Sequence, residues 1–79
     1  MPKRSTEAAA ISAADYQAIL ARHNFRQSDG AWICDVSTRM GANYALHGVT
    51  GAPAILIMAV DEGLISLEWL TTKIKRAIP

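Results

Sequence analysis

Apolar residues recur at intervals of three and four along most of the chain, which is the spacing of amphipathic helices. Tyr16, Ile19 and Leu20 form one such stripe in a first predicted helix over residues 13–23. Ser12 is a favourable N-cap for this helix. Alternation with a period of two is almost absent, so the pattern predicts an all-α fold.

Turn residues divide the middle of the chain into two short helices, over about residues 27–34 and 37–46. Asp35 tolerates a positive φ and is expected in the turn between them, as Asn24 is in the turn before them. Ser37 is the predicted N-cap of the third helix, and Gly48 is the predicted residue just beyond its end.

A fourth helix is predicted from Pro53 to about residue 61, and a fifth from a Ser66 cap to about Ile74. The fourth is apolar on nearly all sides, which is typical of a central or interface helix. Its Ile and Val residues also favour a strand over residues 54–60, which stays an alternative.

The 79 residues, 51% of them hydrophobic, are enough for one compact domain. Residues 1–12 are polar and alanine-rich and are interpreted as a flexible N-terminal arm, with residues 13–79 as the helical domain. The apolar run over residues 52–60 is too short to cross a bilayer, and the N-terminus lacks the apolar core of a signal peptide. A cytoplasmic protein is expected.

The formal net charge of +1 gives only weak support to nucleic-acid binding. The basic group Lys73, Lys75 and Arg76 is interpreted as a solvated helix end. A single cysteine, Cys34, excludes an internal disulfide and any zinc pattern, and is expected to be a small buried apolar residue. No metal, cofactor or small-molecule ligand is expected.

The second and third predicted helices form a candidate helix-turn-helix. Ala31 is small where the helices would cross, and Val36 is the apolar residue of the turn. Gly41 and Tyr44 would face inward on the third helix. The residues expected to face outward are short or polar: Thr38, Arg39, Ala42 and Asn43.

On these residues the chain resembles the lambda-repressor/Cro-like helix-turn-helix proteins, particularly small phage and mobile-element regulators. The resemblance covers residues 19–59, about half of the chain. It is carried by Leu20, Phe25, Gln27, Gly30, Ala31, Val36, Ser37, Tyr44, Gly48 and Pro53. The size and helix pattern are also similar to those of anti-CRISPR-associated repressors. The resemblance implies a five-helix lambda-repressor-like bundle that binds double-stranded DNA.

The resemblance implies base contacts from Thr38, Arg39 and Asn43. An Arg side chain can donate two hydrogen bonds to guanine, and an Asn can pair with adenine. DNA backbone contacts are expected from five residues: Arg26, Gln27, Ser37, Tyr44 and His47. Tyr44 has a core position as its alternative. His47 has a simple interaction with the helix dipole as its alternative. Lys3 and Arg4 of the arm are further candidates for DNA contact.

Three residues depart from the family pattern. Arg26 replaces the usual Ser or Thr cap, Asp35 stands where Gly is usual, and Gly41 replaces an inward Val or Ile. Gly41 costs up to about 1 kcal/mol of helix propensity. It would also let the third helix approach its neighbours closely.

The predicted function is a sequence-specific transcriptional regulator, with repression favoured, that binds an inverted repeat as a homodimer. The fourth and fifth helices are the expected dimer surface, because they hold many apolar residues: Ile57, Leu64, Leu67, Trp69 and Leu70. Trp69 is expected in a core or dimer stripe, and Trp32 is expected to be partly exposed.

Two other classes of function remain. A protein-interaction module, such as an antitoxin or inhibitor docking through its apolar C-terminal helices, fits the low net charge. A recombination directionality factor shares the helix-turn-helix and is not distinguished from a repressor. An enzyme is not expected, since no phosphate loop, metal-ligand spacing or carboxylate pair is visible.

Overall fold

The computed structural model describes residues 9–76, and this part of the chain is mostly helical. Its helices are α1 (Ala13–Arg22), α2 (Gln27–Ile33), α3 (Thr38–His47), α4 (Ala52–Asp61) and α5 (Leu67–Lys73). The five predicted helices are confirmed, each within one or two residues of the expected bounds. Residues 54–60 are helical, so the alternative of a strand there is wrong.

A small antiparallel sheet, which was not predicted, joins β1 (Ala10–Ile11) to β2 (Val49–Thr50). The Gly51 amide also donates to the Ala9 carbonyl at 2.8 Å. Two-residue strands are too short for an alternating pattern to reveal them. Residues 9–12, predicted as part of a flexible arm, are therefore tied to the start of α4. Lys3 and Arg4 lie outside the described residues.

Serine caps begin three of the helices, as predicted. The side-chain oxygens of Ser12, Ser37 and Ser66 accept hydrogen bonds of 3.0–3.1 Å from backbone amides three residues further on. Each bond satisfies an amide that has no partner within the helix. These caps fix where α1, α3 and α5 begin.

Three helices end in the same left-handed turn, at Asn24 (φ 58°), Asp35 (φ 55°) and Gly63 (φ 79°). After α2, the Val36 amide donates to the Ala31 carbonyl at 2.9 Å and the Asp35 amide to the Trp32 carbonyl at 3.0 Å. This pair of bonds defines a Schellman motif. The turns predicted at Asn24 and Asp35 are confirmed.

The core lies between α1, α2, β2 and α4. Its largest fully buried side chains are Tyr16, Ile33, Val49 and Ile57. Trp32, predicted to be partly exposed, is only 3% exposed because it packs into this core. Trp69, expected in a core or dimer stripe, is 51% exposed.

Between residues 9 and 76 the longest apolar helices fall short of the length that crossing a bilayer requires.

Candidate nucleic-acid interface

α3 packs against α2 through two small residues, Gly41 and Ala31. A Cβ placed on Gly41 would lie 2.6 Å from the Ala31 Cβ and 3.1 Å from the Gln27 carbonyl oxygen. Both distances are shorter than van der Waals contact, so α3 lies closer to α2 than a Val or Ile at position 41 would permit. The prediction of a small residue at this crossing is confirmed, and the departure at Gly41 has a steric reason.

α1 supports α3 from another side. The Gln17 side-chain amide donates to the Ala45 carbonyl at 2.6 Å. The rings of Tyr16 and Tyr44 meet edge to face, with centroids 5.9 Å apart. Tyr44 is half-buried, so its packing against Tyr16 is the role that the contacts support. α3 is thus held by α1 and by α2, and only one face of it remains free.

The free face of α3 carries the three predicted base-contacting residues. Thr38, Arg39 and Asn43 are all exposed, and so is His47 in the last turn. Arg39 and Asn43 are four positions apart, which puts them on one side of the helix. Two of the predicted backbone-contacting residues, Arg26 and Gln27, are exposed at the start of α2.

Two exposed apolar residues on α3 were missed by the sequence reasoning. Leu46 is 70% exposed and follows Asn43 by three positions, so it extends the row of Arg39 and Asn43. Met40 is 44% exposed. An apolar residue in an amphipathic helix is normally assigned to the core, so no signal in the pattern separated these two.

Local hydrogen bonds already engage two of the predicted phosphate-contacting residues. The Arg26 amide donates to the Asp29 carboxylate at 2.8 Å, and the Arg26 guanidinium Nε lies 3.6 Å from the same oxygen. Asp29 at N3 thereby makes the bond that the N3 carboxylate makes to the N-cap amide in a capping box. The Ser37 hydroxyl accepts from the Met40 amide, which leaves its own proton available for donation.

The charge around α3 is weakly positive. No Asp or Glu occurs between Val36 and Val60, while Arg39 is a permanent cation and His47 a second one when protonated. The nearest acidic side chains, Asp29 and Asp35, each lie beside an arginine. An anion approaching the free face of α3 would therefore meet no carboxylate on α3 itself.

The turn between α2 and α3 is contacted by Arg76, which follows α5 and whose role was missed. Its guanidinium donates to the Val36 carbonyl at 2.9 Å and to the Ala31 carbonyl at 3.3 Å. The Trp32 indole donates to the Arg76 carbonyl at 3.0 Å. Arg76 was expected at a solvated helix end, because no local pattern shows that this end folds back onto α2.

Two titratable groups lie behind the crossing of α2 and α3. Burial raises the pKa of the Tyr16 hydroxyl to about 12, and its oxygen sits against Gly30, where a Cβ would collide with it. Burial likewise raises the pKa of the Cys34 thiol to about 11. Both groups are therefore protonated at neutral pH and are poor nucleophiles. Cys34, expected to be a buried small apolar residue, is partly buried and packs against the core.

Among residues 9–76, no cluster of three or more His, Cys, Asp or Glu side chains is arranged to hold a metal ion. Comparisons of the chain with protein-family models, with curated proteins and with solved structures each gave no match. The geometry of α2, α3 and their surroundings is therefore the basis on which a function is proposed.

Proposed function

We propose that the chain is a sequence-specific DNA-binding transcriptional regulator, in which α2, the turn and α3 act as a helix-turn-helix. The single observation that supports this most is the free face of α3. It is exposed, it lacks acidic residues, and it carries Arg39 and Asn43 one helical turn apart. A helix with such a face fits the major groove, which is about 12 Å wide.

The proposed base contacts come from three residues of α3. Arg39 pairs with O6 and N7 of a guanine, and Asn43 pairs with N6 and N7 of an adenine. Thr38 offers its methyl group to a thymine or its hydroxyl to a phosphate. Each two-bond pairing contributes about 1–3 kcal/mol of discrimination against the wrong base.

The proposed backbone contacts surround this row. The Gln27 carbonyl lies within 3.1 Å of the Gly41 Cβ position, so the start of α2 is next to the middle of α3. Arg26 and Gln27 would bind a phosphate there, and Ser37 and His47 would bind phosphates at the two ends of α3. These contacts fix the register of the protein and read no sequence. For Tyr44 the contact with Tyr16 favours packing, so a phosphate contact would use only its hydroxyl.

The protein is proposed to bind as a homodimer through α4 and α5. Exposed apolar side chains at Ile55, Leu64, Leu67 and Trp69 support this, because association would remove them from water. Ile57 and Leu70, which were expected on the same surface, are buried in the core instead. Two-fold symmetry would place the two copies of α3 about 34 Å apart, or a multiple of that distance, on an inverted repeat. No cofactor is part of the proposal.

The test begins with selection of duplexes by the protein from a randomised library. Enrichment of an inverted repeat is expected, with an affinity that falls as salt increases. Arg39→Ala should lose the preference for the selected duplex over a scrambled one by about tenfold or more, with an unchanged melting temperature. Lys75→Ala is the control, because Lys75 is an exposed cation that lies beyond α5 and has no place in the proposed interface. If Arg39→Ala keeps its full preference for the selected duplex over the scrambled one, Arg39 does not contact a base.

A protein-interaction module is the second candidate, and one specific observation favours it. Leu64, in the loop between α4 and α5, is 77% exposed, and Leu46 on α3 is 70% exposed, while the net charge is only +1. Binding that does not depend on salt, together with no enrichment of any duplex, would favour this candidate over the DNA reader.

A further inference from the structure

The segment after α5 folds back onto α2 and forms what is called here the C-terminal strap, residues 74–76. The Ile74 amide donates to the Leu70 carbonyl at 2.8 Å and closes α5, and the Ile74 side chain packs against the core. The Trp32 indole then holds the Arg76 backbone at 3.0 Å. Two anchors, the buried Trp32 and the partly buried Ile74, therefore determine where the Arg76 side chain lies.

The Arg76 guanidinium completes the left-handed turn after α2. The Ala31 carbonyl accepts from the Val36 amide and from Arg76, and the Val36 carbonyl accepts from Arg76 as well. The guanidinium Nε is also 3.5 Å from the Asp35 carboxylate. A cation at this place is favourable, because carbonyls at the end of a helix carry partial negative charge.

This turn sets the direction in which α3 leaves α2. Asp35 adopts a positive φ of 55° without being a glycine, which is a sparsely populated conformation for it. The comparable turns after α1 and α4 have Asn24 and Gly63 at this place. The contacts of Arg76 constrain the one of these turns that connects α2 to α3.

We propose that Arg76 is a positioning residue, and that the C-terminal strap fixes the orientation of α3 relative to α2. Arg76 reads no base and binds no phosphate; it acts on the free face of α3 through the turn. For the consequence in DNA binding, this inference rests on the function proposed above. For the geometry of the turn it stands on the contacts of Arg76 alone.

The first arm of the test uses the full chain without DNA. Hydrogen exchange, measured by nuclear magnetic resonance, follows the Val36 amide and the Trp32 indole N–H. Arg76→Ala should accelerate both by about tenfold, since the turn loses its charge-assisted hydrogen bonds. Lys75→Ala is the matched control, because Lys75 is the neighbouring exposed cation, and it should leave both rates unchanged.

The second arm uses a duplex selected from a randomised library and a scrambled duplex. Arg76→Ala should weaken binding to the selected duplex by about tenfold, while the dependence of log affinity on log salt keeps its slope. A direct phosphate contact would instead reduce that slope by about 0.9 per protomer. Arg76→Lys retains the charge but loses the planar fork, so it should restore the exchange rates only in part.

The outcomes separate the two proposals. Unchanged hydrogen-exchange rates in Arg76→Ala would show that Arg76 does not hold the turn. A reduced salt slope in Arg76→Ala would show that Arg76 binds a phosphate directly. Full DNA binding by Arg76→Lys together with fast exchange would show that the turn does not control binding. If the wild-type chain enriches no duplex, the proposed DNA function fails, and the exchange rates still decide whether the strap holds the turn.

Discussion

The α2–α3 pair and the α4–α5 pair differ in how they use apolar residues. In α2 the residues from Gly30 to Ile33 are all buried, and α3 meets them through Gly41. In α5 only Leu70 is buried, whereas Leu67 and Trp69 are exposed. The α2–α3 pair is closely packed where its two helices cross, whereas α5 contributes one residue to the core and leaves apolar side chains at the surface.

The two arrangements suit different roles, the presentation of side chains and association with another molecule. A helix that must present side chains in a fixed direction needs rigid support, which close packing at the smallest residues provides. A surface that associates with another molecule needs exposed apolar groups, at some cost to solubility. The predictions below test this contrast, from the largest expected effect to the smallest.

The two tryptophans should respond in opposite ways to truncation. Trp32→Ala removes a buried ring and should reduce the free energy of unfolding by about 3–5 kcal/mol. Trp69→Ala should change it by no more than about 0.5 kcal/mol, because half of that side chain is already in water. Urea denaturation at low protein concentration measures both, and Trp32→Phe serves if Trp32→Ala does not fold. Equal losses would contradict the contrast.

Gly41→Ala should destabilise the protein by about 1–3 kcal/mol, although alanine has the higher helix propensity. The reason is the clash of the added Cβ with Ala31, at 2.6 Å. In the double variant, Ala31→Gly should relieve part of this loss, because it removes the methyl group that Gly41→Ala meets. Thermal unfolding of the four members of the cycle measures the coupling. A Gly41→Ala variant at least as stable as the wild type would show that α2 and α3 are not closely packed.

The proposed dimer should dissociate in the Leu64→Glu variant, with at least about tenfold weaker association in sedimentation equilibrium. Leu46→Glu is the matched control, since it adds the same charge at an exposed leucine on α3. It should leave association unchanged and instead weaken DNA binding. A wild-type chain that is monomeric at micromolar concentration would refute the dimer.

The acid sensitivity of the protein should depend on Asp61, which connects the end of α4 to α1. Hydrogen bonds from Arg22 and His23 hold the pKa of this carboxylate below its ordinary value of 3.8. Because the pKa of Asp61 is lower in the folded state, the ionised carboxylate stabilises the folded protein fully at pH values above its ordinary pKa. This stabilisation is lost as the pH falls through the folded-state pKa.

Asp61→Asn should therefore lower the melting temperature at neutral pH and flatten its decline below about pH 4. Glu62→Gln, at the exposed neighbouring carboxylate, is the control and should keep the wild-type acid profile. If Asp61→Asn has the same acid profile as the wild type, the ion pair of Asp61 does not contribute to the stability of the protein.

The helices were predictable because local chemistry marks their ends. Ser12, Ser37 and Ser66 supply caps, and Asn24 and Asp35 occupy left-handed turns, as residues of these types do elsewhere. The polar row on α3 was predictable for a related reason, since Arg39 and Asn43 are costly to bury.

Contacts between distant parts of the chain were not predictable. Trp32 is buried because the strap and the core surround a helix of only two turns, and Arg76 contacts residues about forty positions away. Leu46 and Met40 are apolar residues that the fold leaves exposed, against their usual tendency. Helix periodicity describes one face of one helix, so it contains no information on which segments meet.

The pairing of β1 with β2 has a consequence for the order of folding. Its register joins Ile11 to Val49 and Ala10 to Thr50, residues almost forty positions apart that enclose α1, α2 and α3. Closing a loop of this length lowers the chain entropy before any contact between the strands can form. The loss is smaller for α2 and α3, which are joined by a short turn. We expect the α2–α3 pair to form early and the two-stranded sheet to close late. The sheet would then be among the first parts to open in local unfolding, detaching the N-terminal segment while α2 and α3 stay packed.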